Sequence, residues 1–342
     1  MPPLSRSLFV THDTNRAKLP VALLSGFLGS GKTTLVNALL RHPAMAGTAV
    51  AVNEFGEIPL DAELIDHGAD QTVVLANGCL CCNLSGEMDD AVMRLFSRRE
   101  HGEVPSFQRL IIEPSGLSDP APIAQAILRN PVMAAVLRLE TIVTTVDALF
   151  AAQQLARHPE TRKQIALADR LVVTKPDLAD TAALAAILRE INPIAPILTA
   201  IRSAVAPEAL LPPSFLDLDA PSAPARSLLF ADAADPAHAS RIASVSLTAD
   251  APLRWRPLEA WLRRLRLGHA DALLRLKGLL RIDGADGPVV VQGVHHVMDA
   301  PVMLDAWPSD DRRSRLVLIA DEATIAAARQ LWQDALPQLI AA

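Results

Sequence analysis

The chain has 342 residues, half of them hydrophobic and a fifth charged, a globular composition long enough for two domains. A net charge of −6, few aromatics and no long basic tract leave no electrostatic footprint for nucleic acid. No apolar run reaches the roughly 18 residues of a membrane helix, so no membrane partner is expected.

Residues 1–18 are polar and ragged, lack the apolar core of a signal peptide, and read as a disordered tail. From residue 19 to about 202, short β-branched runs alternate with helical stretches. The apolar runs are 21–24, 48–52, 72–75, 110–112, 141–146, 171–173 and 197–198. Helix candidates between them include 33–41, 86–99 and 181–190. This alternation, with continuous rather than alternating apolar strands, predicts an α/β fold: a doubly wound parallel sheet buried on both faces. Residues 203–240 dissolve into Ala, Pro, Asp and Ser and read as a linker. Residues 241–342 then predict a smaller α+β domain. Its strands are expected at 242–247, 274–282, 289–294 and 316–319, and its helices at 258–267 and 323–336.

Gly26-Phe27-Leu28-Gly29-Ser30-Gly31-Lys32-Thr33 fits GxxxxGK[ST] between a strand and a helix. Glycines let successive N–H groups point at one anion, and the helix N-terminus adds its positive end. Gly26, Gly29, Ser30, Gly31, Lys32, Thr33 and Thr34 are thus the candidate phosphate ligands. Lys32 is expected at the β- and γ-phosphates and the Thr33 hydroxyl on Mg²⁺.

Two further strand ends carry chemistry. Ile112-Glu113-Pro114-Ser115-Gly116 places an acid where it can hold the Mg²⁺ shell, directly or through water, and a glycine N–H that can sense a γ-phosphate. Thr174-Lys175-Pro176-Asp177 fits the [NT]KxD pattern, in which the Asp carboxylate accepts two hydrogen bonds from guanine while the Lys stem covers the base. Thr174 stands where Asn is commoner, which opens the question of what replaces the Asn amide. Asn53-Glu54-Phe55-Gly56-Glu57 follows the second strand, in the place of a first switch.

The three cysteines, Cys79, Cys81 and Cys82, lie within four residues, a spacing for a metal or redox task in a reducing compartment rather than for a disulfide framework. A C-x-C-C array supplies three soft thiolates suited to Zn²⁺. A closed structural zinc site takes four ligands, so the fourth would be a His, a carboxylate such as Glu57, water or a partner's group. Such an incomplete shell suits a metal that must leave. Zn²⁺ leads over Co²⁺ and Cu⁺ on availability. His295-His296 reads as an ordinary loop pair.

In this order, GFLGSGKTT, NEFGEIPLD, NGCLCC, EPSGLSDP and TKPD resemble the CobW-like family of metal-chaperone P-loop GTPases (the CobW/HypB/UreG type). Later stretches, RLKGLL, VQGV and RSRLVLIA, are similar to that family's C-terminal domain. The resemblance spans about residues 18–335. It implies GTP hydrolysis with Mg²⁺, metal held by Cys79, Cys81 and Cys82, and delivery to a client metalloprotein or apo-enzyme; the clustered thiols themselves point to the cytoplasm. It also implies phosphate binding by residues 26–34, a Walker B/switch II role for Glu113 and Gly116, and guanine recognition by Lys175 and Asp177. Many relatives carry a His-rich linker; here that stretch has only His238.

These residues suggest that GTP closes both switches and so sets the geometry of the cysteine loop between them. Water positioning is open between Glu54 and Ser115. The alternatives are cobalt handling for cobalamin synthesis or nitrile hydratase maturation, a small-molecule kinase, and a regulatory protein with a structural metal. Homo-oligomerisation is left open.

Overall fold

The computed structural model describes residues 8–54, 73–78, 94–95, 97–202, 204–211 and 242–340, with 53, 54 and 73–78 described by their backbone. The chain divides into two units. One comprises Lys18–Ile187 and Ala195–Pro212, the other Met1–Ala17, Leu188–Ile194 and Pro213–Ala342. The described chain opens with β1 (Val10–Thr11) and α1 (His12–Arg16), which belong to the second unit.

The first unit is built on β2 (Leu19–Gly26), β3 (Thr48–Glu54), β4 (Val73–Gly78), β5 (Arg109–Glu113), β6 (Leu137–Asp147), β7 (Arg170–Thr174) and β8 (Ile197–Ala200). They lie in the order β4-β3-β5-β2-β6-β7-β8, and every pairing is parallel. All five residues of β7 and seven of the eight in β2 are buried, as a sheet covered on both faces requires. Its helices are α2 (Lys32–Leu40), α3 (Ala121–Arg129), α4 (Pro131–Val136), α5 (Ala151–Arg157), α6 (Pro159–Leu167), α7 (Thr181–Ile191) and α8 (Pro207–Leu210). Leu35, Val36, Leu39 and Leu40 recur at helical spacing on α2. They pack against Ala22, Leu24, Val50, Ile111 and Val143 of the sheet. The α/β expectation therefore holds, with parallel strands that all end on one edge.

Three boundaries differ from the sequence reading. First, from Leu8 onward the supposed tail is structured: Val10 and Thr11 pair in parallel with Val302 and Met303. Phe9 packs edge-on against Trp255, ring centroids 4.9 Å apart, and buried His12 meets Asp305 at 2.8 Å. A two-residue strand has no period to read, and its partners lie nearly 300 residues away. Second, the supposed linker begins inside the first unit. Pro207 starts α8 rather than breaking a chain, Leu210 and Leu211 are buried in the core, and Arg170 Nε donates to the Leu210 carbonyl at 3.0 Å. Residues 212–241, with His238, lie outside the described residues. Third, of the helix expected at 86–99, only 94–95 and 97 onward are described, and these are helical.

The second unit adds β9 (Ile242–Ala249), α9 (Trp255–Gly268), β10 (Leu273–Leu280), β11 (Val289–Val294), β12 (Val297–Met298), β13 (Val302–Met303), β14 (Ser314–Asp321) and α10 (Glu322–Leu339). The order is β1-β13-β11-β10-β14-β9, with β12 on β11, antiparallel except where β1 joins β13. Leu258, Trp261, Leu262 and Leu265 of α9 share a core with Ile325, Ala328 and Trp332 of α10 and one face of the sheet. Asp321 caps α10 by accepting from the Thr324 N–H at 2.7 Å. Among the described residues no helix is long and apolar enough to cross a membrane.

Candidate functional site

Because all seven strands of the first unit run the same way, the loops leaving their carboxyl ends converge on one edge, where ligands of open α/β sheets bind. The glycine loop leaves β2 there. Gly26, Gly29 and Gly31 have φ of 140°, 72° and 90°, angles that side chains resist, and these let the loop curl. A Cβ on Gly26 would stand 2.2 Å from Thr145 Oγ1, so the position admits no side chain. Gly31 caps α2 without a side-chain hydrogen bond, which leaves that helix N-terminus to an anion.

Inside the loop, Ser30 Oγ donates to the Phe27 carbonyl at 2.6 Å and meets Thr145 Oγ1 at 2.6 Å. Lys32 is buried, and its Nζ donates to the carbonyls of Gly26 (3.0 Å) and Phe27 (3.3 Å), so its charge lies along the loop. Thr33 Oγ1 donates to Glu113 Oε1 at 2.8 Å. The glycine loop and the end of β5 therefore place a hydroxyl and a buried carboxylate together, an oxygen donor pair of the kind Mg²⁺ takes. Thr34 is exposed on the first turn of α2.

Past Glu113 the chain turns, Ser118 N–H donating to the Ser115 carbonyl at 2.9 Å. A Cβ on Gly116 would lie 2.6 Å from the Leu28 nitrogen, so this turn abuts the glycine loop through a residue that must be Gly. Its backbone is held from α6, where buried Gln164 Nε2 donates to the carbonyls of Gly116 (3.1 Å) and Ser118 (3.0 Å). Ser115 is buried.

At the end of β7, Thr174 Oγ1 is within hydrogen-bonding distance of two carbonyls, Ser30 at 2.8 Å and Val146 at 3.3 Å. A threonine hydroxyl thus ties the end of β7 to the glycine loop, in the place where the pattern more often has Asn. Lys175 sits at φ 54°, and its Nζ bonds Asp147 Oδ2 at 2.5 Å and the Gly29 carbonyl at 3.1 Å. Its stem therefore crosses the loop from a fixed point. Asp147 is 1% exposed, a buried anion matched to that ammonium. Asp177 is exposed, free of the core and turned to solvent.

The structure thus brings together Gly26, Gly29, Ser30, Gly31, Lys32, Thr33, Glu113, Gly116 and Lys175. Cys79, Cys81, Cys82 and Glu57 lie outside the described residues. Their strand does not: Asn77 and Gly78 of β4 pair with Asn53 and Glu54 of β3, whose Val52 pairs with Glu113. The chain therefore leaves Gly78, one residue before Cys79, on the same sheet edge as the glycine loop. Among the described residues no group of three or more His, Cys, Asp or Glu could hold a metal. His295 and His296 form the tight turn between β11 and β12, where His295 N–H donates to the Leu274 carbonyl and Arg266 to the His296 carbonyl.

Sequence reading missed Asp147, Thr145 and Gln164. The first ends a buried parallel strand, as Glu113 does, and that shared placement was a usable signal. Gln164 had none.

Residues 20–199 match the family model described as CobW/HypB/UreG, nucleotide-binding domain. Residues 242–336 match the cobalamin synthesis protein cobW C-terminal domain. The chain is 34% identical over 304 residues to the zinc chaperone YjiA of Escherichia coli, spanning 88% of this chain and 93% of that protein. It is 31% identical to the zinc chaperone CobW of Pseudomonas aeruginosa, over 94% of this chain and 92% of that one. Among solved structures it is similar to the Zn(II)-bound YjiA GTPase from E. coli, with 26% identity and a TM-score of 0.68 over 93% of this chain and 99% of the other.

Proposed function

Because this chain belongs to the CobW family of P-loop GTPases, we propose that it is a GTP-hydrolysing metallochaperone that holds zinc as cargo on Cys79, Cys81 and Cys82 and hands it to a client apo-metalloprotein in the cytoplasm. One observation carries the reading: the backbone enters the C-x-C-C segment from β4 on the sheet edge that bears Lys32, Thr33, Glu113 and Gly116. β4, which leads into that segment, lies two strands from β5 with Glu113 and three from β2 with the glycine loop, all ending on the same edge.

The residues fit a guanine nucleotide with Mg²⁺. Thr33 and Glu113 supply the oxygen pair for the metal, which when bound neutralises charge developing on the phosphates. The loop N–H groups and Lys32 bind the phosphates, and Gly116 N–H senses the γ-phosphate. Lys175 covers the base while Asp177 accepts from guanine. Slow intrinsic hydrolysis is expected, as no arginine is assigned to the transition state. Hydrolysis relaxes the segment around Gly116, and with it the grip on cargo in the client's presence. Cobalt is the alternative cargo.

The test is Cys81→Ser combined with Cys82→Ser. Tight zinc binding should be lost while GTP affinity, compared in the absence of zinc, stays within about threefold of the wild type. Retained zinc affinity in the double variant would remove these thiolates as the cargo site.

A further inference from the structure

Gly116 has the freest backbone torsions of any residue type, yet its N–H must point one way if it is to sense a phosphate. Something outside the segment has to fix it. The neighbouring helix α6 does so. Gln164 is fully buried, and its own carbonyl accepts from Thr144 Oγ1 of β6 at 3.0 Å, which pins the helix to the sheet. Its side-chain amide then forks both donor directions onto two carbonyls two residues apart, Gly116 and Ser118. The turn is closed by Ser118 N–H on the Ser115 carbonyl, the carbonyl of the peptide that carries Gly116 N–H, and Gln164 holds the peptide planes that follow Gly116 and Ser118.

The same side chain also carries a cost. Among the described residues Gln164 Oε1 is buried with no hydrogen-bond partner, and so are Thr161 Oγ1 and Arg162 Nη1 on the same helix. A buried acceptor left unmade is expensive, and here the two bonds donated to Gly116 and Ser118 offset that expense. The acceptor left over sits on the side chain that already holds this segment.

We propose that Gln164 is the positioning residue of switch II: its amide orients the Gly116–Ser118 backbone for the γ-phosphate, and its spare oxygen takes a backbone N–H of the same segment when that segment moves. This rests on the reading of Gly116 as the γ-phosphate sensor.

The test compares the full-length chain with Gln164→Met, which keeps the length and removes the amide. GTP hydrolysis and the affinities for GDP and a non-hydrolysable GTP analogue are measured in each. The expected result is a kcat lower by about tenfold, within the range for losing two neutral hydrogen bonds, with KM within about twofold. The analogue-over-GDP affinity ratio falls by a similar factor while GDP affinity stays. An unchanged kcat and an unchanged ratio overturn the proposal, whatever happens to the melting temperature. If Gln164→Met does not fold, Gln164→Asn, an amide one methylene short, is held to the same outcomes. In the wild type the side-chain amide ¹⁵N signal of Gln164 should shift between the GDP and analogue complexes, and coincident signals overturn the proposal without any variant. A wild type that neither hydrolyses GTP nor distinguishes it from GDP sinks the underlying reading of Gly116 instead.

Discussion

At Thr174 a single hydroxyl bridges the glycine loop and the end of β7, with Ser30 and Val146 carbonyls both in reach. Thr174→Val keeps the shape and removes the donor, leaving the Ser30 carbonyl without it. Stability should fall by about 1–3 kcal/mol, the cost of a buried polar group left unmade, and fluorescent GDP should bind more weakly. Thr174→Asn, whose amide can donate in the same direction, should bind GDP nearly as the wild type does. Gly116→Ala tests the turn beside the loop. Its Cβ would meet the Leu28 nitrogen at 2.6 Å, so the turn must shift and the N–H with it. Hydrolysis should drop by roughly a hundredfold, the loss seen when one transition-state donor is removed, while GDP affinity changes little. At this scale the motif residues were legible because they act through local backbone spacing: a glycine loop binds phosphate wherever a strand and a helix frame it. Thr145 and Gln164 were not, since their partners lie 115 and 48 residues away and no local pattern announces them, while Asp147 had only its place at a strand end to mark it.

The elements were read unevenly, for physical reasons. Buried parallel strands are continuous apolar runs, so all seven strands of the first unit were visible, each a residue or more short at its carboxyl end. α4 and α5, with six and seven residues, are too short to show a period, and the Pro residues that open α4, α6 and α8 look like breakers until the fold shows them at N-termini. β1 was invisible for the same reason of length. Its anchor can be tested: Phe9→Ala removes a buried ring packed on Trp255 and should cost the second unit about 3–5 kcal/mol. All four tryptophans, Trp255, Trp261, Trp307 and Trp332, lie in the second unit, so indole emission during urea unfolding reports that unit alone. The same probe reads a pH effect before β14. Arg313 bonds the Asp311 carboxylate through its backbone N–H and guanidinium, Arg315 adds a contact at 2.7 Å, and the carboxyl is lowered to about 2. A depressed carboxylate stabilises the fold above its unfolded pKa and loses that contribution as pH falls through the folded value. The stability gap between wild type and Asp311→Asn should therefore be full at pH 7, shrink from about pH 4 and vanish near pH 2.

Over the whole molecule, the chain order says that the GTPase unit is inserted into the other: Met1–Ala17 and Pro213–Ala342 belong together, and the phosphate-binding sheet is spliced between them. Composition could place the second unit at the C-terminus but could not show that its first strand comes from the opposite end of the chain. The proposed function rests at this scale on coupling between the nucleotide site and a zinc site. Thermodynamics makes that coupling reciprocal, so the factor by which GTP tightens zinc must equal the factor by which zinc tightens GTP. The direct measurement is zinc affinity of the reduced protein, by competition with a chromophoric chelator, in the presence of GDP and of a non-hydrolysable GTP analogue. The account predicts binding tighter with the analogue by at least about fivefold, mirrored by the same factor in analogue affinity when zinc is present. Equal zinc affinity with both nucleotides, or none tighter than about micromolar with either, would contradict it.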